Sequence, residues 1–522
     1  MIECPNCGQN LKFNITSQQM LCSYCDSQFS PYEVEKEVDA QKSDSFETTI
    51  FSCPQCGGEI FSEDNEAATF CIYCGGSTIL SERISKEKKP RYIIPFKKTK
   101  EDCKQAFAKK MRSAFFVPKE YKDPQFIDGF KGVYMPYWSY RIEHQGNVSI
   151  QAEKTHREGD YLVTNYFFLR GAIEATCEGD SYDASTTFYD DISRALGPYD
   201  FVEQVEFTPG YLSGFYGDVA DIEMSLYEEE ANEFAEDCIM DELRHYPPFV
   251  GYTIKTEEEN KFGELMRAGL SEADRTMFPV WFMSYRNGDR VAYATVNGQT
   301  GKVVADMPVD SKRYLLGSFL LAIPIFVLLN FFVMINHKEI LIACTGLLLV
   351  SAVLFVLELD AIYKKENFIH DRAMLKKQGR ELEYDGHNKK KLIRADLGGI
   401  NKAGVFIAMF FVMIPMLMSL ARLAVLPIVV VGSIICSTHI VSKSKKLEGK
   451  KNYTMAILNM VAVLVGALVM FLQPVHDMWY YAAAIGTLVM VAYNFIVIIQ
   501  YYNQLAMRKL PQFNKRGGDD FA

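Results

Sequence analysis

Eight of the thirteen cysteines lie in two copies of one pattern near the start of the sequence. In each copy, two Cys-x-x-Cys pairs are separated by fourteen residues, and the first pair reads Cys-Pro-x-Cys-Gly. Four thiolates at such spacing are the ligand set of a structural zinc site. The candidate ligands are Cys4, Cys7, Cys22, Cys25, Cys53, Cys56, Cys71 and Cys74. The sequence therefore predicts two small β zinc ribbons, at residues 1–30 and 51–85, with one structural Zn²⁺ ion each.

The chemistry expected of these two sites is structural. Four protein ligands leave no open position on the metal for water or substrate, so the ion would hold a short segment folded. Two alternatives, disulfide bonds and a redox-active Cys-x-x-Cys, do not explain two paired sets at one spacing. The other cysteines are scattered singly and are interpreted as buried or ordinary thiols: Cys103, Cys177, Cys238, Cys344 and Cys436.

Outside the ribbons the sequence offers no grouping typical of an enzyme. The segment NGQTGKVV contains a Gly-Lys pair, but Val303 follows where a phosphate-binding loop has a hydroxyl residue for magnesium. We find no nucleophile beside a base and no cluster of histidines with carboxylates. The sequence therefore predicts a protein without catalytic residues and disfavours an ATP-driven motor.

The apolar residues are concentrated after Lys312, in six stretches of membrane-spanning length without a charged side chain. These stretches are residues 314–335, 340–357, 403–421, 423–441, 453–472 and 478–499. The pattern predicts an all-α transmembrane bundle of six helices. It would occupy residues 311–502, with a basic loop at 359–402 and a tail at 503–522.

The lysines and arginines between these stretches predict the orientation. Twenty-two lie on one side and two on the other, and the basic side normally faces the cytoplasm. The first thirty residues are polar, so no signal peptide is expected. We predict a multi-pass protein of the cytoplasmic membrane with both termini in the cytoplasm. Because the stretches contain few polar residues, anchoring is favoured, and a zinc-gated transporter or channel is the alternative.

Residues 86–310 predict a cytoplasmic α+β domain with antiparallel sheets. Strand patterns alternate with two predicted helices, at residues 100–115 and 223–246, and residues 290–306 are typical of a hairpin. The segments MPYWSYR and FPVWFMSYR, at residues 135–141 and 278–286, share a Pro-x-Trp core. We interpret them as two related β units on either side of the second helix.

Charge separates the ribbons from the segment that follows them. Residues 1–85 contain thirteen acidic and four basic side chains, and an acidic linker at residues 31–50 joins the ribbons. Such a module repels phosphate, so nucleic acid is an unlikely partner. Residues 86–122 carry thirteen basic and four acidic side chains. This basic stretch is interpreted as a solvated face, with anionic lipid as the alternative ligand.

Several motifs in order carry a resemblance to a known family. After the paired Cys-Pro-x-Cys ribbons come RYIIPFKKTKEDCKQAF, FVPKEY, GVYMPYWSYR, YLSGFYGD, FPVWFMSYR and VNGQTGKVVADMP. Residues 1–335 thereby resemble bacterial membrane proteins with paired transcription-factor-B-type zinc ribbons. Some of these are similar to membrane partners of flotillin-like or phage-shock protein A envelope-stress systems.

Two hypotheses of function follow. The resemblance implies a non-enzymatic, membrane-anchored adaptor or scaffold that recruits a cytoplasmic protein, flotillin-like or phage-shock protein A-like, beside a lipid bilayer. Formation of a homo-oligomer is compatible with it. The alternative from another class is a membrane-tethered nucleic-acid-binding regulator, which would use the basic stretch.

Overall fold

The computed structural model describes most of the chain. The described residues are 2–35, 45–62, 70–77, 80–247, 250–254, 270–332, 336–367, 371–377, 422–444 and 453–513. The predicted span at 403–421, the central part of the linker and most of the basic loop lie outside them. The described part begins with a three-stranded antiparallel sheet and a short helix: β1 (Leu11–Asn14), β2 (Gln19–Cys22), β3 (Gln28–Phe29) and α1 (Pro31–Glu35).

A large, mainly antiparallel sheet follows. Among the described residues, its strands are β4 (Ser45–Ser52), β5 (Glu59–Ser62), β6 (Ser81–Lys88), β7 (Tyr92–Ile93), β8 (Lys131–Glu158), β9 (Tyr161–Asp183), β10 (Val205–Glu206), β11 (Tyr216–Asp218), β12 (Thr253–Ile254), β13 (Leu270–Asn287), β14 (Arg290–Asn297), β15 (Val303–Ala305) and β16 (Arg508–Lys509). The main path runs β10-β7-β13-β8-β11-β5-β4-β6. The predicted β-rich domain with antiparallel sheets is confirmed. The strands of the second ribbon belong to this same sheet, and the predicted boundary after residue 85 falls inside β6.

The two Pro-x-Trp segments are neighbours in this sheet. Each lies inside a strand, β8 or β13, and these strands pair antiparallel so that Phe278 is opposite Met135. Each segment lies in the first strand of a hairpin, β8–β9 or β13–β14, and these two hairpins lie on either side of α5 in the sequence. Trp281 is buried, and its Nε1–H donates to the carbonyl of Lys98 at 2.9 Å. The repeated motif thus forms the centre of one sheet.

Among the described residues, the α-helices between the strands of the sheet are α2 (Lys100–Ser113), α3 (Pro124–Ile127), α4 (Asp190–Leu196) and α5 (Glu228–His245). Helix α2 begins at a capping box formed by Thr99 and Asp102, which satisfies backbone N–H groups of its first turn. Its apolar face buries Cys103, Phe107 and Met111 in the core. Both predicted helices of this region are confirmed by α2 and α5.

Apolar helices dominate the C-terminal part: α6 (Ser311–Phe332), α7 (His337–Glu366), α8 (Arg372–Lys377), α9 (Arg422–Ser444), α10 (Tyr453–Leu472) and α11 (Met478–Ala506). Within the described residues, α7, α10 and α11 are long and apolar enough to cross a membrane. Helices α6 and α9 overlap two further predicted spans. The predicted group of apolar C-terminal helices is confirmed. Six spans were predicted, whereas three of the described helices are candidate membrane spans.

The bundle is tied to the sheet by polar contacts at one of its ends. Arg290 on β14 forms an ion pair of 2.5 Å with Glu366 at the end of α7. Arg508, which follows α11, is buried against Tyr189 and pairs with Asp191 at 2.8 Å. Strand β16 adds to β14, so the chain after α11 returns to the sheet.

Candidate metal centres

Each of the four Cys-x-x-Cys turns has the same backbone structure. The N–H of the first cysteine donates to the carbonyl five residues later, and the N–H four residues later donates back to the first cysteine. The residue after the second cysteine has a positive φ in every turn, which favours glycine or a short polar residue. These residues are Gly8 (φ 74°), Asp26 (55°), Gly57 (75°) and Gly75 (66°). The repeated pattern therefore folds into four equivalent knuckles.

The knuckles assemble into two groups of four thiols. In each group, all four Sγ atoms lie within 4.8 Å of one another, and no other group of this kind occurs in the described residues. The shortest Sγ–Sγ distances between knuckles are 3.4 Å for Cys7 and Cys22 and 3.6 Å for Cys56 and Cys71. Ligands about 2.3 Å from a tetrahedral Zn²⁺ ion would lie about 3.8 Å apart. The residues present therefore fit a tetrahedral metal site.

Hydrogen bonds between these closely packed thiols shift their pKa values in opposite directions. Hydrogen bonding to Cys56 lowers the pKa of Cys53, whereas the bond to Cys53 raises the pKa of Cys56. A hydrogen bond with Ser27 lowers the pKa of Cys25 to about 6. Four thiolates repel one another at these distances unless a cation lies between them. The arrangement consequently suits a divalent ion and the thiolate ligands it requires.

The two centres differ in their surroundings. In the first centre, which we define by Cys4, Cys7, Cys22 and Cys25, the last cysteine is exposed. The first ribbon contacts the β-rich domain through its strand β1, where Phe13 packs edge-to-face on Tyr211 with ring centroids 5.0 Å apart. The knuckle residues at 23–26 are all exposed, and Tyr24 is 77% exposed.

The second centre, defined by Cys53, Cys56, Cys71 and Cys74, is fully enclosed. All four cysteines are at most 2% exposed. Tyr73, between its last two cysteines, donates its hydroxyl to Asp218 at 2.6 Å and packs edge-to-face on Phe513 at 5.8 Å. The backbone N–H of Phe513 also donates to the carbonyl of Cys56. The segment after α11 therefore covers this centre.

Tyr73 and Tyr24 occupy the same position in the repeated pattern. They are the residues before the last cysteine in CIYC and CSYC. Tyr73 has no exposed surface, whereas Tyr24 is 77% exposed. This pair was not predicted from the sequence, although the recurrence of tyrosine at one position was a usable signal. No local pattern indicated that Asp218 and Phe513 would meet the second copy.

The basic stretch at residues 86–122 is partly neutralised by its own domain. Lys104 lies 2.6 Å from Asp128, and Arg91 lies 2.9 Å from Asp274. Lys97 and Lys100 also form ion pairs with acidic side chains. These contacts favour the interpretation as a solvated, ion-paired face over a continuous phosphate-binding patch.

A group of buried acidic residues was not foreseen. Burial raises the pKa of Asp183 and of Asp190. Asp190 accepts hydrogen bonds from the hydroxyl of Tyr227 at 3.1 Å and from the backbone N–H of Arg372 at 3.3 Å. Arg372 begins helix α8, so this group fastens the segment after α7 to the sheet. The contacts indicate a structural role.

Fold and centres together define a protein with two four-cysteine centres, a β-rich domain and a group of apolar helices. Over 325 residues, the chain is 29% identical to "Uncharacterized protein YdjG" of Bacillus subtilis (strain 168). The match covers 60% of this chain and 91% of that protein. No model of a protein family matches the sequence, and no solved structure matches it.

Proposed function

We propose that this protein is a non-enzymatic, membrane-anchored adaptor that recruits a soluble protein through the first centre. The observation that carries the proposal is the contrast between Tyr24 and Tyr73. In the second centre, Asp218 and Phe513 cover the tyrosine of the last knuckle. In the first centre, the equivalent tyrosine is exposed beside an exposed cysteine. An exposed aromatic residue on a rigid knuckle is a favourable anchor for a partner.

The contacts of Tyr73 suggest what the partner supplies. An aromatic or apolar side chain would pack on the ring of Tyr24, as Phe513 packs on Tyr73, and an acceptor would bind its hydroxyl. The acidic excess of residues 1–85 favours a partner with basic residues around this contact. The resemblance described above adds flotillin-like and phage-shock protein A-like proteins as candidates.

Both centres are proposed to hold Zn²⁺ in a structural role. All-cysteine tetrahedral sites are typical of zinc, and four protein ligands leave no position for substrate. In the first centre the ion would fix the knuckle that presents Tyr24. In the second it would fix three strands of the large sheet, β4, β5 and β6.

The anchor is proposed to cross the cytoplasmic membrane six times, with both termini in the cytoplasm. Helices α7, α9 and α11 run in one direction, towards the sheet. In α7 and α9, Leu348 packs with Val429 far from the sheet, and Leu359 packs with Ile440 nearer to it. Residue 377 lies at the sheet end, whereas α9 begins at the opposite end. This arrangement of the described helices supports the proposal of a further span at 403–421, which would connect the two ends.

Site-specific photocrosslinking in native membranes tests the adaptor. A photoreactive residue replaces Tyr24 in the full-length protein, and a control replaces Val202, which is 91% exposed and distant in sequence. We expect a protein adduct from position 24 that is absent from position 202. It should also disappear when Cys4→Ser and Cys7→Ser remove the first metal centre.

The outcomes separate the hypotheses. No protein adduct at position 24 would contradict recruitment through the first centre. Adducts with nucleic acid would instead support the membrane-tethered regulator. Solute flux in proteoliposomes that depends on zinc would support the transporter alternative, and flux is not expected from an anchor.

A further inference from the structure

Strands β8 and β9 form a hairpin that is far longer than the strands around it. They pair from Tyr137 opposite Asp183 at the base to Glu158 opposite Tyr161 at the tip. Along its other edge, β8 pairs with β13, β11 and β12. Strand β9 pairs with β8 alone among the strands of the described residues. Within the described part of the chain, the outer edge of β9 is therefore an open sheet edge.

The outer half of β9 lacks the features that normally protect such an edge. Residues 161–169 read YLVTNYFFL, without a charge or a proline. The one register shift in the β8–β9 ladder lies at the base, near Tyr140. Leu162 is 77% exposed and Phe168 is 64% exposed. A long, uncharged, apolar edge favours the addition of another strand.

We propose that two copies of this chain pair through their β9 strands, antiparallel, about a two-fold axis at Asn165. In this register Leu162 of each copy lies opposite Phe168 of the other, and Val163 lies opposite Phe167. Tyr161 lies opposite Leu169. Cross-strand pairs of aromatic and aliphatic side chains stabilise a sheet, and a two-fold axis requires a surface that is complementary to itself.

Charge at the ends of the segment selects this register. With the axis at Asn165, the exposed Asp160 of each copy lies opposite the exposed Arg170 of the other. Moving the axis by one residue places Arg170 opposite Leu162 or Asp160 opposite Phe168. Of these three registers, the central one alone forms two opposite-charge pairs and keeps the apolar residues together.

A second copy fits this edge better than lipid does. The tip carries exposed aromatic residues, which also suit a membrane interface. Lipid tails, however, offer no hydrogen bonds to the backbone groups along the edge of β9. A second β9 satisfies those groups and pairs both charges. The inference does not depend on the proposed adaptor function, because the hairpin is separate from the first centre.

Cysteine crosslinking of the full-length protein tests the register. In Asn165→Cys, the two new cysteines face each other with Cα atoms about 4.5 to 5.5 Å apart, which permits a disulfide. The control is Thr155→Cys, at an exposed position of β8. Its two copies lie three strand spacings apart, about 14 Å, which is too far for a disulfide. We expect an oxidised dimer from the first variant only.

A charge exchange supplies a second, independent measurement. Asp160→Arg alone and Arg170→Asp alone each place like charges opposite one another, and the double variant restores opposite charges. We expect each single variant to weaken the dimer by about tenfold or more, and the double variant to recover it. The oligomeric state is measured in detergent by light scattering.

Three results would overturn the proposal. One is a monomeric wild-type protein at all concentrations tested. Another is equal crosslinking of Asn165→Cys and Thr155→Cys. The third is loss of binding to anionic vesicles in Arg170→Asp, with stronger binding in Asp160→Arg, while the oligomeric state of both variants stays unchanged, which would assign the tip to lipid.

Discussion

Tyr73 donates a hydrogen bond of 2.6 Å to Asp218, across 145 positions of the sequence. Asp218 lies on β11 and also accepts a 2.6 Å bond from the hydroxyl of Thr187. The carboxyl group is fully buried, and this burial raises its pKa to about 6. The contact joins the last knuckle of the second centre to the middle of the large sheet.

The first prediction concerns this hydroxyl. Tyr73→Phe removes one donor from a buried carboxyl group and should lower the free energy of unfolding by about 1 to 3 kcal/mol. Tyr24→Phe is the matched control, because Tyr24 holds the same position in the first ribbon and is exposed. Denaturant unfolding of both variants measures the difference. Equal stability of the two variants would show that the bond contributes little.

The second prediction is a pH dependence that Asp218 introduces. Its folded-state pKa of about 6 exceeds the unfolded value of about 3.9, so the folded state binds more protons between these values. Stability from this group is therefore present at low pH and decreases as pH rises through 6. Relative to Asp218→Asn, the wild type should gain about 1 kcal/mol between pH 7 and pH 5. Melting temperatures of both proteins at both pH values test this. An equal change of melting temperature in the wild type and in Asp218→Asn would contradict it.

The third prediction distinguishes the two metal centres. Cys4→Ser with Cys7→Ser, and Cys53→Ser with Cys56→Ser, should each reduce bound zinc from two ions per chain to one. Only the second pair should also lower the melting temperature of the domain, because its centre is buried in the large sheet. Elemental analysis and thermal unfolding measure the two effects. Two zinc ions retained in either variant would refute the ligand assignment.

The fourth prediction concerns Trp281, which is 5% exposed and packs against Phe96 with ring centroids 5.1 Å apart. Trp281→Ala should lower the free energy of unfolding by about 3 to 5 kcal/mol through the lost burial and the cavity. Tyr246→Ala removes a ring that is 56% exposed and should change it by less than about 0.5 kcal/mol. A similar loss in both variants would argue against a core role for Trp281.

The fifth prediction concerns the contact between the bundle and the sheet. Arg508→Ala removes a buried guanidinium that pairs with Asp191 and lies over Tyr189 at 4.1 Å. Because Asp191 is itself 56% exposed, we expect a moderate loss of about 2 kcal/mol. Arg508→Lys keeps the charge and should recover part of it. Unchanged unfolding of the alanine variant would show that the bundle is held by other contacts.

Short-range patterns predicted the parts of this protein that depend on local spacing. The cysteine pairs specify their own knuckles, and the apolar face of α2 follows from Cys103, Phe107 and Met111 at helical spacing. The glycines at its turn also predicted the hairpin formed by β14 and β15. Gly301 adopts a φ of 80°, whereas Gly298 is required because a Cβ atom there would lie 2.5 Å from Phe96.

Long-range pairing could not be predicted in this way. Strand alternation shows which side chains share a face, but it does not name the neighbouring strand. The pairing of β8 with β13, and the inclusion of β4 to β6 in the same sheet, join segments far apart in the sequence. The difference between Tyr24 and Tyr73 has the same origin, because it depends on Asp218 and Phe513.

The position of Phe513 has a consequence for the order in which the molecule can be assembled. Phe513 and β16 follow the last apolar helix, yet they complete the surroundings of a centre formed by residues 53–74. During synthesis, the second centre therefore stays uncovered until that helix has been made and the chain has returned to the sheet. A chain that stops before residue 508 leaves Tyr73 and the edge of β14 open. The second centre, which is near the start of the sequence, can thus be enclosed only after the C-terminal helices have been made.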